Sequence, residues 1–517
     1  MGINKMGIKN LKVGFVAVCV IVIMLFTGAF NKTEAMAKTS DFRIENGVLK
    51  QYLGTDKDIV IPKSVKTIGD GAFMDCEIEK VSIPNGVNTI ENKAFQNCTQ
   101  LKEIVLPDSV SKLGDSVFQG CVSLYRAELS GKIFSIGNSA FEGCTSLKKV
   151  VIPDGIYAIF PYAFKGCSSL EKINLPESIA YISAGCFENC TSLETIIFPK
   201  QEAFIGDKAF YNTPWLENYE GEYVIINHTL ILYRGNDEDI KIPNKITVIG
   251  EHAFENCSFI TNISIPQGVK EIKNSAFAGC SGLTKIVLPK SVTKIDEYAF
   301  ENCNKLVNIS VPQGVIMYRD SLQGTKWMAD YKGDFIILNG SLLYYQGTDS
   351  KVVIPDNVVT VCSGAFNRND TITEVTVPES VRNIYYSGFW FCNNLKKVFI
   401  TGRNTSLDYY AFDSCSSNLT LYSAKGGTAD AYAKLYNINF KSYGISKSII
   451  TLYLGGSNST TLNVNGVDAD IEWLSEDSKI AKVSKDGKVT AVKSGTTKIK
   501  AIVNGITMTC KVTVAVK

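Results

Sequence analysis

The chain has 517 residues, with 53 Lys and Arg against 51 Asp and Glu and only two histidines, His228 and His252. That length is too great for one ordinary core, so several domains or a repeat array are expected. The balanced charge argues against nucleic-acid binding through a basic field, and the scarcity of histidine argues against His-activated nucleophiles and His-ligated metals.

The N-terminus has the grammar of an export signal. Lys5, Lys9 and Lys12 precede an apolar run from Val13 to Phe30, and Ala35-Met36-Ala37 is a small-x-small cleavage signature. Residues 1–37 are therefore expected to be a signal peptide and the mature product to be secreted, extracellular or associated with the cell surface. The apolar run is also just long enough to span a bilayer, so an uncleaved signal is the one route to a membrane. The other end, Val516-Lys517, carries no hydrophobic tail or sorting motif, and no covalent anchor is expected from it.

From residue 38 onward a unit of about 23 residues recurs, with phenylalanines at Phe73, Phe95, Phe118, Phe141, Phe164, Phe187 and Phe210, then Phe254, Phe277 and Phe300, then Phe366, Phe389 and Phe412. A period in this range marks a solenoid, in which each unit buries its apolar face against its neighbours. The first half of a unit, as in Leu147-Lys-Lys-Val150-Val-Ile152-Pro153, alternates like a short strand, and its proline ends the ladder. The second half, Val-x-x-Ile-Gly-x-x-Ala-Phe-x-x-Cys, starts extended and ends in a tight turn.

The cysteines follow the same period. Cys76, Cys98, Cys121, Cys144, Cys167, Cys190, Cys257, Cys280, Cys303, Cys392 and Cys415 each lie three residues after a core phenylalanine. Exported proteins often use cysteine for disulfides. Equivalent residues of stacked coils, however, have parallel Cβ vectors, which suit bridging poorly. A row of buried, reduced thiols is expected over disulfides or a metal site.

The period breaks at Thr213-Pro-Trp215 and at Thr325-Lys-Trp327, and each break leads into paired apolar runs around Asn227 and Asn339-Gly340. A shorter version surrounds Asn46-Gly47. Asn-Gly between alternating runs signals a hairpin. Three tandem modules opened by β-hairpins are expected, at residues 38–216, 217–329 and 330–442, with Trp215 and Trp327 closing the cores before them. In the third, Thr428 is read as the cap of a short terminal helix, with Tyr432, Leu435 and Tyr436 on one face. Residues 443–517 lack the repeat and show short alternating runs separated by Gly turns, which predicts a β-sandwich with Trp473 in its core. The fold class is thus mainly β.

The recurrent Ile-Pro, Ala-Phe and cysteine, with the Gly426-Gly427-Thr428-Ala-Asp-Ala-Tyr432-Ala cap, resemble the BspA-type bacterial leucine-rich repeat over residues 42–422. The run from Trp473 through Ile480, Val483, Gly487, Val489 and Gly495 to Ile499 resembles the group 2 bacterial Ig-like domain. The resemblance implies a leucine-rich-repeat solenoid followed by an Ig-like sandwich, in a secreted or surface protein. Such proteins are often adhesins for host extracellular matrix or cell-surface proteins, other cells or glycans. Cell-wall association is a further expectation, and a structural, self-associating envelope protein is the alternative. The chain departs from anchored examples in lacking a sortase or choline-binding tail.

No phosphate loop, His-rich metal motif or nucleophile elbow is present, so no enzyme activity, catalytic residue, metal or cofactor is expected. The candidate partner-binding residues are aromatic: Tyr385, Tyr386, Trp390 and Phe391 in one coil, and Tyr409 and Tyr410 in the next. Trp390 and Phe391 take slots that elsewhere hold Glu-Asn or Glu-Gly, which implies exposure, and exposed aromatics suit protein interfaces and sugar stacking. Packing of this face against the helix cap or the Ig-like domain is the competing reading. Lys148, Lys149, Lys172, Lys396 and Lys397 read as a solvated face.

Overall fold

The computed structural model describes residues 39–466, 470–503 and 506–516; the expected signal peptide lies outside them. The chain divides after Asn218 into two compact units. No helix among the described residues is long and apolar enough to cross a membrane.

A coil consists of a strand of three or four residues and a two-residue strand, such as Glu103–Val105 and Lys112–Leu113. Leu106-Pro107 turns the chain between them, with the Val110 N–H donating to the Pro107 carbonyl at 2.9 Å. Each strand pairs in parallel with its equivalent in a neighbouring coil, in the registers Ile104↔Ala127 and Ile90↔Leu113. This fixed register stacks Ile90, Ile136, Ile159 and Ile182 in fully buried positions. The return turn needs left-handed backbone, as at Lys93 (φ 56°) and Asn97 (φ 57°). The slot before the cysteine is accordingly filled by Asn97, Gly120, Gly143, Gly166 and Asn189, the residue types that tolerate that region best.

In the first unit the phenylalanines from Phe73 to Phe210 form one row of stacked rings, 4.9 to 5.7 Å apart. The row begins at a hairpin, Phe42–Glu45 with Val48–Tyr52, whose Tyr52 ring lies 5.5 Å from Phe73. It ends at Trp215, which meets Phe210 edge-on at 5.1 Å. Trp215 thus closes this core, as its place at the break suggests.

The second unit repeats the design. Hairpins Tyr223–Ile226 with Thr229–Tyr233, and Phe335–Leu338 with Ser341–Tyr345, open the later arrays. Their turns hold Asn227 and Asn339 at φ 53° and 45°, as a hairpin turn demands. Tyr233 and Tyr345 begin the ring rows that continue through Phe254 and Phe366. Trp327 packs against the preceding core, which continues into Ile336, Leu338 and Leu343.

The terminal helix, Thr428–Leu435, covers the last coil through Ala429, Tyr432 and Ala433. Two expectations for it change. Thr428 is not the cap: its hydroxyl donates to the Thr405 carbonyl, while Asp430 accepts from the Gly426 N–H at 2.8 Å. Leu435 is 76% exposed and belongs to no core face.

The described strands between Gly444 and Val516 form a sandwich. One sheet runs Ile449–Leu454, Ile506–Val516, Gly495–Val503, Glu472–Ser475, and the other Ser459–Thr461, Lys488–Ala491, Ala481–Val483. Leu452, Leu462, Val489, Ile499 and Val512 fill the core. Trp473 is only half-buried, so it is not the central core residue; it sits where this core meets a second cluster of Tyr422, Tyr443, Val503 and Met508. That cluster joins sandwich to solenoid: the Phe399 ring lies 4.6 Å from Tyr422 and 5.0 Å from Tyr443.

All fourteen cysteines from Cys76 to Cys510 are free. They do more than fill space: the thiols of Cys98, Cys121, Cys144, Cys167 and Cys190 donate to the phenylalanine carbonyl of the preceding coil at 3.0 to 3.2 Å. Thr213 and Thr325 take the cysteine slot where an array stops. Thr213 donates to the Phe210 carbonyl at 2.7 Å and accepts from the Leu216 N–H at 3.2 Å, capping the helix Pro214–Glu217. Thr325 does the same for Lys326–Ala329.

Candidate ligand-binding surface

The ladder registers Asn383↔Ser406 and Val375↔Val398 align the coils that carry the candidate aromatics. Because those coils share one path, residues just before each buried phenylalanine fall side by side. Tyr386 lies 5.6 Å from Tyr409 and 6.1 Å from Tyr410, and the latter two rings are 5.0 Å apart. All three are exposed.

Trp390 and Phe391 form a separate edge-on pair at 4.7 Å. The Arg368 guanidinium lies 5.7 Å from the Trp390 ring centre and 5.9 Å from that of Phe391. Phe391 is exposed, but Trp390 is half-buried. Tyr385 is half-buried as well, and burial pushes its phenol up. The six residues therefore form two clusters with Tyr385 behind them. Packing against the helix cap touches one edge only, where Tyr410 lies 6.4 Å from Tyr436. The sandwich docks elsewhere, through Phe399 and Tyr422.

Phe391 occupies the left-handed slot before the cysteine, at φ 55°. A bulky residue there is strained by about 1–2 kcal/mol, where glycine would not be. The repeat's turn imposes the same backbone on other bulky residues, as at Tyr162 (φ 60°), Tyr298 (φ 58°) and Arg368 (φ 55°).

A further aromatic row went unread in the sequence. In the first unit Phe134, Tyr157, Tyr181 and Phe204 follow one another at 5.1, 5.4 and 5.9 Å across four coils. Phe134 is 64% exposed. The signal available was a run of aromatics in the two slots before the ladder isoleucine. Lys148, Lys149, Lys172, Lys396 and Lys397 are exposed, as a solvated face requires. Among the described residues, no group of three or more His, Cys, Asp or Glu is arranged to hold a metal ion.

A stack of short parallel ladders with an extended outer surface defines a solenoid repeat protein. The BspA type leucine rich repeat region matches residues 44–169, 120–229, 224–325 and 339–454, and the bacterial Ig-like domain (group 2) matches residues 450–514. The chain belongs to the BspA type leucine rich repeat family.

Solved structures similar to it include a leucine-rich repeat protein from Bacteroides ovatus ATCC 8483, 26% identical, covering 71% of this chain and 84% of that one with a TM-score of 0.34. A leucine rich cell surface protein from Faecalibacterium prausnitzii A2-165 is 20% identical, covering 71% and 95% with a TM-score of 0.29. The pneumococcal vaccine antigen PcpA is 18% identical, covering 74% and 78% with a TM-score of 0.24. The family assignment rests on the repeat, not on these superpositions. No curated protein matches the chain.

Proposed function

We propose that this protein is a non-catalytic binding protein, secreted or held at the cell surface, that uses its solenoid as an adhesin. Its partner is a host matrix protein, another cell surface or a glycan. The module limits are residues 38–216, 217–329 and 330–442, with the sandwich from 443. Tyr386, Trp390, Phe391, Tyr409 and Tyr410 make the contact surface, with Tyr385 supporting it. The observation that carries this reading is the Trp390–Phe391 pair, edge-on at 4.7 Å with Phe391 exposed, in slots that hold polar residues or glycine in most other coils. Interfaces gather their energy in a few aromatic and arginine side chains, and Arg368 sits over this pair.

The test is binding of the chain from Lys38 onward to immobilised matrix proteins and a glycan panel, beside a Trp390→Ala/Phe391→Ala variant. Saturable binding that the still-folded variant loses supports the reading. Equal binding by both proteins moves the site elsewhere, and no binding on the panel favours a self-associating envelope component.

A further inference from the structure

Between the last coil and the terminal helix lies a cleft of about 250 Å³. Tyr410, Tyr432 and Tyr436 line it. The Tyr410 and Tyr436 rings are 6.4 Å apart, and Tyr432 lies 4.5 Å from Tyr436. Tyr410 also belongs to the exposed tyrosine cluster, 5.0 Å from Tyr409. The cleft and that cluster are therefore one continuous surface.

Polar groups converge on the cleft from two elements. The turn after Phe412 supplies Asp413 and serine hydroxyls, and the residue after the helix's last turn, Asn437, supplies an exposed amide from a left-handed backbone at φ 54°. Asp413 is exposed and accepts the Ser414 hydroxyl on Oδ2 at 3.1 Å, which leaves Oδ1 open. Among the described residues, no Lys, Arg or His lines the cleft. Cys415 does line it, half-buried, whereas the earlier thiols Cys98 to Cys190 are fully buried.

A concave site with apolar walls and a few convergent polar groups is the usual form of a ligand pocket. Its chemistry here suits a neutral sugar ring. A pyranose has a C–H face that packs on aromatic rings, and hydroxyls that each donate and accept. The Asp413 carboxylate accepts, while the Asn437 amide and the serine hydroxyls do both. An anionic ligand would meet Asp413 with no cation in the wall to offset it. A bare apolar side chain would displace water from these groups without replacing its hydrogen bonds. The volume is below the roughly 300–1,000 Å³ of pockets for larger ligands, so it suits one sugar unit.

We propose that this cleft binds one neutral pyranose unit of a glycan, packed on the tyrosine wall and hydrogen-bonded to Asp413 and Asn437, with the next units running over Tyr409 and Tyr386. The inference rests on the third module being the contact surface and narrows its partner to a glycan.

The test uses Cys415 as a reporter of the cleft and Cys76, in the first unit, as its control. Alkylation of both by iodoacetamide is followed by mass spectrometry in the full chain from Lys38. The additions are methyl glycosides of galactose, glucose, mannose and N-acetylglucosamine, the open-chain polyol sorbitol, N-acetyltyrosinamide and lysinamide. We expect at least one glycoside to slow Cys415 saturably, in the millimolar range, with Cys76 unchanged and sorbitol inert. Asp413→Ala and Asn437→Gly should each weaken that protection more than fivefold with circular dichroism unchanged; glycine keeps the left-handed backbone at 437 without strain. Protection by no glycoside, equal protection in both variants, or protection by sorbitol, N-acetyltyrosinamide or lysinamide alone overturns the proposal. If no glycoside protects Cys415 while Trp390→Ala/Phe391→Ala loses a matrix ligand, the third-module surface stands and the glycan assignment falls.

Discussion

The thiol of Cys144 donates to the carbonyl oxygen of Phe118 at 3.1 Å, one coil earlier in the solenoid. The same carbonyl accepts the Cys121 N–H at 3.1 Å. A residue chosen as a small hydrophobe thus also satisfies part of the turn's backbone, which is why cysteine recurs in the slot. Threonine enters where the array stops and its hydroxyl is needed as a helix cap.

This arrangement predicts the order of thiol alkylation. Burial keeps the thiolate form rare, pushing the thiol of half-buried Cys76 up to about 11. Cys76 and Cys415 should react with iodoacetamide in the folded protein, faster at higher pH. Cys144, Cys167 and Cys280 should react only after unfolding. Mass spectrometry of peptides from partly labelled protein checks this, and early labelling of Cys144 would contradict it.

Two neighbouring phenylalanines should behave oppositely. Phe389 is fully buried in the ring row, so Phe389→Ala should cost about 3–5 kcal/mol. Phe391→Gly loses an edge-on contact worth about 0.5–1.5 kcal/mol but relieves the left-handed strain, so its stability should stay within about 1 kcal/mol of wild type. Urea unfolding of the two variants decides; a large loss in Phe391→Gly would show that the ring is structural.

At Thr213 a cysteine would fit the repeat but not the end of an array. Thr213→Cys should cost about 1 kcal/mol through the lost cap, and Thr213→Ser should be near neutral. Thermal unfolding of both variants measures the difference.

Tyr443 should be improvable. Its hydroxyl is buried with no hydrogen-bond partner, and burial pushes it up to about 12. An unsatisfied buried hydroxyl costs about 1–3 kcal/mol, so Tyr443→Phe should raise stability by about 1 kcal/mol. A drop in stability would mean that the hydroxyl is satisfied in solution.

Glu79 offers a pH test. Hydrogen bonds from Lys102 and from Lys57, the latter at 3.0 Å, hold its carboxyl down to about 2. A depressed carboxylate stabilises the fold above its unfolded value of about 4.3 and loses that contribution as pH falls. The margin of wild type over Glu79→Gln should therefore shrink between about pH 4 and pH 2, and salt should shrink it at pH 7. A margin independent of pH would contradict the assignment.

Much of the fold was legible because a repeat reports the same environment many times. Phe118 and Ile136 keep their places because each coil must match the one before it. The sandwich's Trp473 and the helix's Leu435 and Thr428 occur once each, and their burial or capping depended on neighbours that local pattern does not name. The aromatic patch was legible as a set of exposed slots, but its division into two clusters was not. Nor was the cleft, which sets Asp413 and Asn437 beside Tyr410 and Tyr436 where the last coil meets the terminal helix.

The sequence by itself determined the coil, its strands and its hairpins, since these follow from period, proline and Asn-Gly turns acting over a few residues. Only the tertiary structure decided which carbonyl each thiol meets, where the sandwich docks and which side chains line the cleft beside the terminal helix. Those outcomes depend on how successive coils stack and how the arrays end, which brings together residues that no local rule connects.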